Sequence, residues 1–283
     1  MTNPSPLRYP GGKFKTYKYV EQLIELNDSN IYIEPFAGGS AVSLQLLIND
    51  KVKQVYLNDY DRSIYAFWYC VLYKNQEFIA LIRETPISMD NWYKQKEIQK
   101  NKHHESLLSL GFSTFFLNRT NRSGIIKAGV IGGITQSGNY KLDCRYSKEK
   151  LIEKVKIIGD NRDKFKIFNM DATEFISEVI VDTKSAFTFF DPPYYQKGPG
   201  LYTNFFKHED HYKLSKVIQE TLNDQKWIVT YDYNEEIKKM YSSLSYKTYI
   251  LNYSADRKRQ ASEYMFFSNK TNIPESKALK FIE

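Results

Sequence analysis

The residues best suited to chemistry lie in "FFDPPYYQ", Phe189 to Gln196. A run of apolar, strand-forming residues, "SAFTFF" (185–190), ends there in one carboxylate, two prolines and two tyrosines. Proline lacks an N–H donor and fixes its own φ, and it keeps the preceding residue extended. Pro192 and Pro193 therefore stiffen the backbone beyond Asp191. They hold two acceptors, the Asp191 carboxylate and the Pro192 carbonyl, in fixed relation. Tyr194 adds a flat face. Two acceptors beside an aromatic plate suit a planar ring bearing an amino group. Asp-Pro is also common in ordinary turns. A turn, however, does not require an acid, two prolines and an aromatic in that order after a buried strand.

Three other predicted strands end on polar residues. The first runs into "EPFAGGS", Glu34 to Ser40, with Phe36 and Gly38 inside it. Glycines there let the backbone turn sharply and come close to a ligand, although a turn without a ligand uses the same residues. The second ends in "NDYD" at Asp59. An acid in that place can accept bonds from ribose hydroxyls or cap the next helix. The third ends in "NMDA" at Asp171, which can hydrogen-bond an adenine amino group or cap its own following helix. A glycine turn and two acids at successive strand ends together favour a cofactor that carries a nucleoside.

These residues need a sheet to hold them. Hydrophobic periodicity predicts helices over 14–27, 41–48, 172–179 and 209–223, with another near 147–158. It predicts strands over 31–36, 54–59, 165–169, 185–190 and 227–232, then an antiparallel pair over 245–253 and 262–268. The alternation implies an α/β fold with a mostly parallel sheet. Ligands in such sheets sit at the carboxyl ends of the strands. One interruption of about ninety residues separates the second and third strands. Its first part, 61–118, reads as aromatic-rich helices, in which "SLLSLGFSTFF" (106–116) is expected to be core. Its second part, 119–146, is rich in glycine and reads as a hairpin or extended loop. The residues beyond Asn269 are polar and expected to fray.

Composition sets the outer bounds. The 283 residues carry a net charge of +7, a pI near 9.0, 23 tyrosines and 18 phenylalanines. Excess positive charge suits a polyanionic partner. No apolar run approaches the ~18 residues of a membrane span, and no secretory signal is visible at the start. Cys70 and Cys144 match no metal or redox spacing and read as reduced thiols of a cytoplasmic protein. His208 and His211 have a spacing that hints at metal, but no further Cys or His ligands accompany them, so a polar helix start is the expectation. His103 and His104 are expected to be exposed.

Taken together, "LRYPGGK", "EPFAGGS", "NDYD", the insertion, "DPPYY" and "SADRKRQASEYMFF" resemble the Dam-like group of DNA adenine-N6 methyltransferases, in the family's order and over residues 5–268. The resemblance implies a Rossmann-like methyltransferase sheet with helices on both faces and an inserted helical and β-hairpin target-recognition region. It divides the chain into a discontinuous S-adenosylmethionine-binding catalytic domain (1–60 and 147–270), the recognition insertion (61–146) and a polar tail (271–283). It implies S-adenosylmethionine as cofactor and no metal. Tyr9 matches the aromatic that packs on the cofactor, Lys13 the lysine that meets its methionine carboxylate, Asp59 the ribose acid and Phe36 the aromatic near the adenosine. Glu34, Gly38, Asp171 and Asp191 complete the expected cofactor set. Asp191, Pro192, Pro193 and Tyr194 are the expected catalytic residues.

The expected partner is double-stranded DNA, with no membrane. The resemblance leaves room for a cognate restriction endonuclease and suggests a monomer or weak dimer. Within the insertion, "FLNRTNRSG" and "CRY" fall where the family's DNA-reading hairpin lies. Asn118, Arg119, Asn121, Arg122 and Arg145 are thus candidates to bind DNA, and the three arginines among them to read bases, since arginine can grip guanine with two bonds. Lys127, Lys141, Arg257, Lys258 and Arg259 are candidates for phosphates. The competing readings are a cytosine-N4 methyltransferase, an RNA or protein-amide methyltransferase, and a silent DNA-binding or anti-restriction protein.

Overall fold

The computed structural model describes residues 2–9, 11–196, 206–253 and 259–282. Its strands are β1 (Ile31–Glu34), β2 (Gln54–Asn58), β3 (Phe165–Phe168), β4 (Ala186–Phe190), β5 (Lys226–Asp232), β6 (Tyr246–Tyr253), β7 (Arg259–Phe267) and β8 (Phe281–Ile282). Its helices are α1 (Tyr17–Leu26), α2 (Ala41–Ile48), α3 (Arg62–Tyr73), α4 (Asn75–Glu84), α5 (Met89–Lys100), α6 (Leu107–Thr120), α7 (Lys148–Asp160), α8 (Ala172–Phe175), α9 (His208–Thr221) and α10 (Glu235–Met240). A 3₁₀ turn, Lys13–Thr16, leads into α1, and a π-helical turn, Ile176–Ile180, continues α8.

The strands form one sheet in the order β3-β2-β1-β4-β5-β7-β6-β8. The pairs from β3 to β5 are parallel, and β7, β6 and β8 add antiparallel pairs at one edge. The chain leaves β1 toward β2 on one side and returns through β4 on the other. The switch point therefore lies between the ends of β1 and β4, where Glu34 and Asp191 stand. Crevices at such points are where open α/β sheets hold ligands.

Alternation along the strands builds two cores. Tyr32, Val55, Leu57, Phe187, Phe189 and Ile228 face one side, with α1, α2 and the helices of the insertion. Ile33, Tyr56, Phe190 and Val229 face the other, with α8, α9 and α10. Because the side-chain period of a strand is two residues, both faces need apolar cover. That explains why β4 reads as a continuous apolar run.

The insertion is an antechamber of packed helices. α6 lies against α3 and α5 and is buried on nearly every side, as the apolar run "SLLSLGFSTFF" suggested. Gly111 lets it come that close: a Cβ there would stand 2.5 Å from the Ala66 carbonyl oxygen. Two expectations need correction. Of the two readings open for 119–146, hairpin or extended loop, the hairpin implied by the resemblance is absent and residues 121–146 form a turn-rich loop with a single β-bridge, Asn121 to Val130. Most of its backbone bonds are local turns, so no second strand propagates. The end of the chain is docked rather than frayed. Leu279 is buried, the Phe281 ring packs on Tyr19 and Tyr249, and β8 pairs with β6. No helix among the described residues is long and apolar enough to cross a membrane.

Candidate functional site

The loops after β1, β2 and β3 are stapled by one buried side chain. Asn58 donates to the carbonyls of Pro35 (3.0 Å) and Met170 (3.1 Å) and accepts from Met170 N–H (2.9 Å). The glycine turn is anchored next to it. Asp59 accepts through Oδ2 from Gly38 N–H and through Oδ1 from Asp61 N–H, both at 2.9 Å. The N-cap of α3 is Asp61, so the capping alternative for Asp59 is not what the fold uses. Gly38 has φ of +45°, and a Cβ there would fall 2.7 Å from the Tyr9 ring. The glycine thus makes room for Tyr9 and adopts a backbone conformation that other residues reach with strain.

A cavity opens at the sheet switch point. Of the residues expected at the cofactor, Tyr9, Lys13, Glu34, Phe36, Gly38, Asp59 and Asp191 line it, and Pro193 joins them. Burial pushes the carboxyls of Glu34 and Asp59 up to about 7 each. Serines 40 and 43 oppose the shift at Glu34, and the Gly38 N–H opposes it at Asp59. Asp171 stands apart. Its Oδ1 accepts from Thr173 N–H at 2.9 Å and Thr173 hydroxyl at 2.6 Å, and it serves as the N-cap of α8. Of the two roles open to it in the sequence, the structure shows the cap, and the cavity's described lining does not include it.

Asp191 sits at the rim with a buried cation behind it. Lys13 Nζ lies 2.6 Å from Asp191 Oδ1, and Thr230 hydroxyl donates to the same oxygen at 2.8 Å. No described residue donates to Oδ2. Burial pushes the Asp191 carboxyl up, Lys13 draws it down, and the nearby Glu263 pushes it up again. The turn that follows is fixed by Asp232, whose two oxygens accept from Tyr195 N–H (2.9 Å) and Gln196 N–H (3.1 Å). The prolines thus stiffen a backbone that β5 also holds.

Tyr194 departs from the open plate the sequence suggested. Only 5% of its surface is exposed, and the Lys13 ammonium lies 5.0 Å from its ring centroid. Its hydroxyl donates to Glu263 Oε1 at 2.8 Å. The ring is so enclosed because β7 and the Lys13 turn close on it from two sides.

Residues 9–258 match the D12 class of N6 adenine-specific DNA methyltransferases. The chain belongs to this family. It is similar over nearly its whole length to type II methyltransferase M.MjaIII of Methanocaldococcus jannaschii, with 26% identity covering 93% of this chain and 98% of that protein. It is also similar to type II methyltransferase M.CviBI of Paramecium bursaria Chlorella virus NC1A, with 24% identity covering 87% of this chain and 90% of that one. The protein is an adenine-specific DNA methyltransferase, which sets aside the cytosine-N4, RNA, protein-amide and silent readings.

The methyltransferase holds its insertion directly against the cavity. Gly124, Ile125 and Ile126 line the pocket beside Asn118. The two asparagines expected to bind DNA are structural instead. Asn118 is 2% exposed; it accepts from Arg8 N–H (2.8 Å) and donates to the carbonyls of Arg8 (2.7 Å) and Gly124 (2.8 Å). Asn121 is fully buried; it accepts from Trp92 Nε1 (2.7 Å) and donates to the carbonyls of Ile125 (3.1 Å) and Ile126 (2.9 Å). Both N–H donors of each side chain are spent on carbonyls of the chain, so neither is left to donate to a base edge.

The cations divide differently. Arg122, Lys127, Lys141 and Arg145 are exposed on the loop. Arg119 is half-buried at the end of α6, and burial, with Arg8 close by, draws its guanidinium down to about 10. Arg257 and Lys258 lie outside the described residues, and Arg259 is described only as backbone at the start of β7. His103 and His104 are exposed. His208 is exposed at the expected polar helix start, where Glu209 and Asp210 fill the first turn of α9 and Asp210 accepts from Lys207 N–H (2.8 Å), whereas His211 is buried against the Tyr231 hydroxyl (2.9 Å). Among the described residues, no cluster of three or more His, Cys, Asp or Glu could hold a metal.

Several site residues escaped the sequence reading: Asn58, Thr230, Asp232 and Glu263. Each is a polar residue inside or ending an otherwise apolar strand, "QVYLN", "WIVTYD" and "SEYMFF". A buried polar group must find a partner, and that was the available signal.

Proposed function

We propose that this methyltransferase takes its methyl group from S-adenosylmethionine and delivers it to an adenine turned out of duplex DNA, with Asp191 and the Pro192 carbonyl gripping the amino group. The observation that carries this reading is the clamp on Asp191. Lys13 and Thr230 both occupy Oδ1, which leaves Oδ2 as the acceptor at the cavity rim.

The cavity fits the cofactor. Each Asp59 oxygen accepts one backbone N–H and keeps a lone pair for a ribose hydroxyl. Phe36, Tyr60 and Phe206 supply apolar surface for a purine, and Glu34 supplies a carboxylate. When bound, S-adenosylmethionine provides an electrophilic methyl on a sulfonium. The chain's own residues supply the rest. Adenine N6 is a poor nucleophile because its lone pair delocalises into the ring. Hydrogen bonds from the amino group to Asp191 and the Pro192 carbonyl would draw that nitrogen toward sp³ character and aim its lone pair. Holding both reactants in this geometry supplies much of the acceleration.

Burial pushes the Asp191 carboxyl up and the Lys13 ammonium, 2.6 Å from its Oδ1, opposes that shift, so we assign Lys13 to the catalytic carboxylate before the cofactor tail. Tyr194 forms the aromatic wall beside the base. Its small exposure means that stacking on it needs a local opening around the ring.

An adenine inside the duplex cannot reach such a rim, so the base must leave the stack. We assign residues 61–146 to target recognition. Arg122, Lys127, Lys141 and Arg145 meet the DNA, Arg119 braces the loop beneath them, and Arg257, Lys258 and Arg259 add phosphate contacts. A monomer or weak dimer suffices for this arrangement. The description of both relatives as type II methyltransferases supports a cognate restriction endonuclease as a partner.

Base extrusion is tested with duplexes carrying 2-aminopurine at the target adenine, once the methylated site is mapped. Fluorescence should rise on binding of the methyltransferase with S-adenosylhomocysteine. Unchanged fluorescence on a saturated complex would refute the extruded-base reading.

A further inference from the structure

Glu263 lies on β7, in register with Asp232 of β5 on one side and Tyr249 of β6 on the other. It is 1% exposed. Its Oε1 accepts from Tyr194 hydroxyl at 2.8 Å and its Oε2 from Tyr249 hydroxyl at 2.5 Å. The Lys13 ammonium stands 3.6 Å from Oε2 and 2.6 Å from Asp191 Oδ1. A buried cation therefore lies between two carboxylates, one at the cavity rim and one behind it.

An ionised carboxylate removed from water is costly unless it is paired and hydrogen-bonded, and replacing a buried ion pair with apolar residues is often neutral or stabilising. Packing alone does not call for an acid here. Two of its partners, Lys13 and Tyr194, belong to the site.

We infer that Glu263 is a positioning residue for methyl transfer, a buried second carboxylate that fixes the Tyr194 phenol and shares the Lys13 ammonium with Asp191. It touches neither reacting atom. It acts by holding the aromatic wall at its hydroxyl end and by limiting how tightly Lys13 binds Asp191. This rests on the proposed role of Asp191 and Tyr194 at the target base.

The charged and titratable groups facing Asp191 are Lys13, Glu34, Tyr32, Tyr231 and Glu263. Among them Glu263 pushes the Asp191 carboxyl up and Lys13 draws it down. Loss of the Glu263 charge should thus move the acidic limb of the kcat profile to lower pH.

The test compares wild type, Glu263→Gln, Tyr194→Phe and the double variant in full-length protein, with Asp191→Asn beside them. Glu263→Gln should lower kcat roughly 10- to 100-fold, the range of a hydrogen bond to a charged group. KM for S-adenosylmethionine should stay within about 3-fold, and the acidic limb should move down. Tyr194→Phe removes the same Oε1 bond from its other end, so the double variant should lose little more than the worse single one. A Glu263→Gln enzyme with wild-type kcat, an unmoved acidic limb, or additive losses in the double variant would overturn the assignment. If Asp191→Asn keeps its rate, the base-gripping rim itself fails. If Asp191→Asn is dead while Glu263→Gln is normal, only the role of Glu263 fails. Should Glu263→Gln not fold, Tyr194→Phe decides alone: a 10-fold or larger loss of kcat at constant KM supports the inference, and an unchanged kcat overturns it.

Discussion

The strand-end rim and the insertion were both read from motifs, yet the two regions use their motif residues differently. At the rim, most candidates converge on one cavity: Tyr9, Lys13, Glu34, Phe36, Gly38, Asp59, Asp191 and Pro193 line it, while Asp171, Pro192 and Tyr194 are not in its described lining. In the insertion, Asn118 and Asn121 turn inward to satisfy backbone groups, while Arg122, Lys127, Lys141 and Arg145 remain outside. A parallel sheet delivers every strand end to the same edge, so a polar residue after a buried strand has its address set by topology. A turn-rich loop has no such rule. Its polar side chains satisfy the backbone first, and only those left over can face a ligand.

The sharpest test of the contrast is at Asp191. Asp191→Asn preserves the shape of the rim and should cut turnover roughly 10²- to 10⁴-fold, the usual weight of a positioned acid–base group. Asp191→Ala should also melt lower, because it removes the nearer of the two carboxylates on the buried Lys13 and leaves Glu263 at 3.6 Å; breaking a buried pair outright costs about 3–5 kcal/mol, an upper bound here. Turnover is checked by methyl incorporation and stability by thermal melting. If the alanine variant melts like wild type, the Lys13 pair is not the buried clamp described here.

Next in size is Asp59→Ala. It removes the proposed ribose acceptor and one support of the glycine turn, and should weaken S-adenosylmethionine roughly 10- to 100-fold by calorimetric titration. In the insertion the corresponding change is of another kind. Asn118→Ala leaves buried groups of Arg8 and Gly124 without partners and should cost about 1–3 kcal/mol in denaturant unfolding. DNA affinity per folded molecule should stay put. A base-reading asparagine would show the reverse. Arg122→Ala with Lys127→Ala should flatten the salt dependence of DNA binding by a slope of roughly 2 if both meet phosphates.

The smallest effect concerns pH. Glu34 and Asp59 have folded values of about 7, raised from their ordinary values by burial. Groups raised in this way stabilise the fold fully below their unfolded pKa, and that stability disappears as pH rises through the folded value. The free protein should therefore lose stability progressively from just above the ordinary values of 4.5 and 3.8 up to the folded values of about 7, and little further above them. Asp59→Asn should flatten that part of the profile in melts taken without cofactor.

How much of this was legible follows from the same contrast. The order of strands and helices, the terminal antiparallel pair and the burial of α6 came from periodicity, because each face of the sheet must be covered. The rim came from single residues that break an apolar run. Thr230, Asp232 and Glu263 break such runs as well, but their partners among residues 191–196 are 36 to 69 positions away along the chain, a distance that local patterning does not cross. The docking of Leu279 and Phe281 was hidden for another reason: two apolar side chains in a polar tail are too few to show a period. The enclosure of Tyr194 depends on Lys13 and β7, which lie far from it on either side in the sequence.

The central claim is that Asp191 holds the amino group of the target base. It is tested most directly by nucleoside analysis of DNA incubated with S-adenosylmethionine and either wild type or Asp191→Asn, the latter shown by titration to bind the cofactor. The account predicts N6-methyladenine with wild type and formation roughly 10²- to 10⁴-fold slower with the asparagine variant. N6-methyladenine formed by Asp191→Asn at a rate near wild type would contradict it.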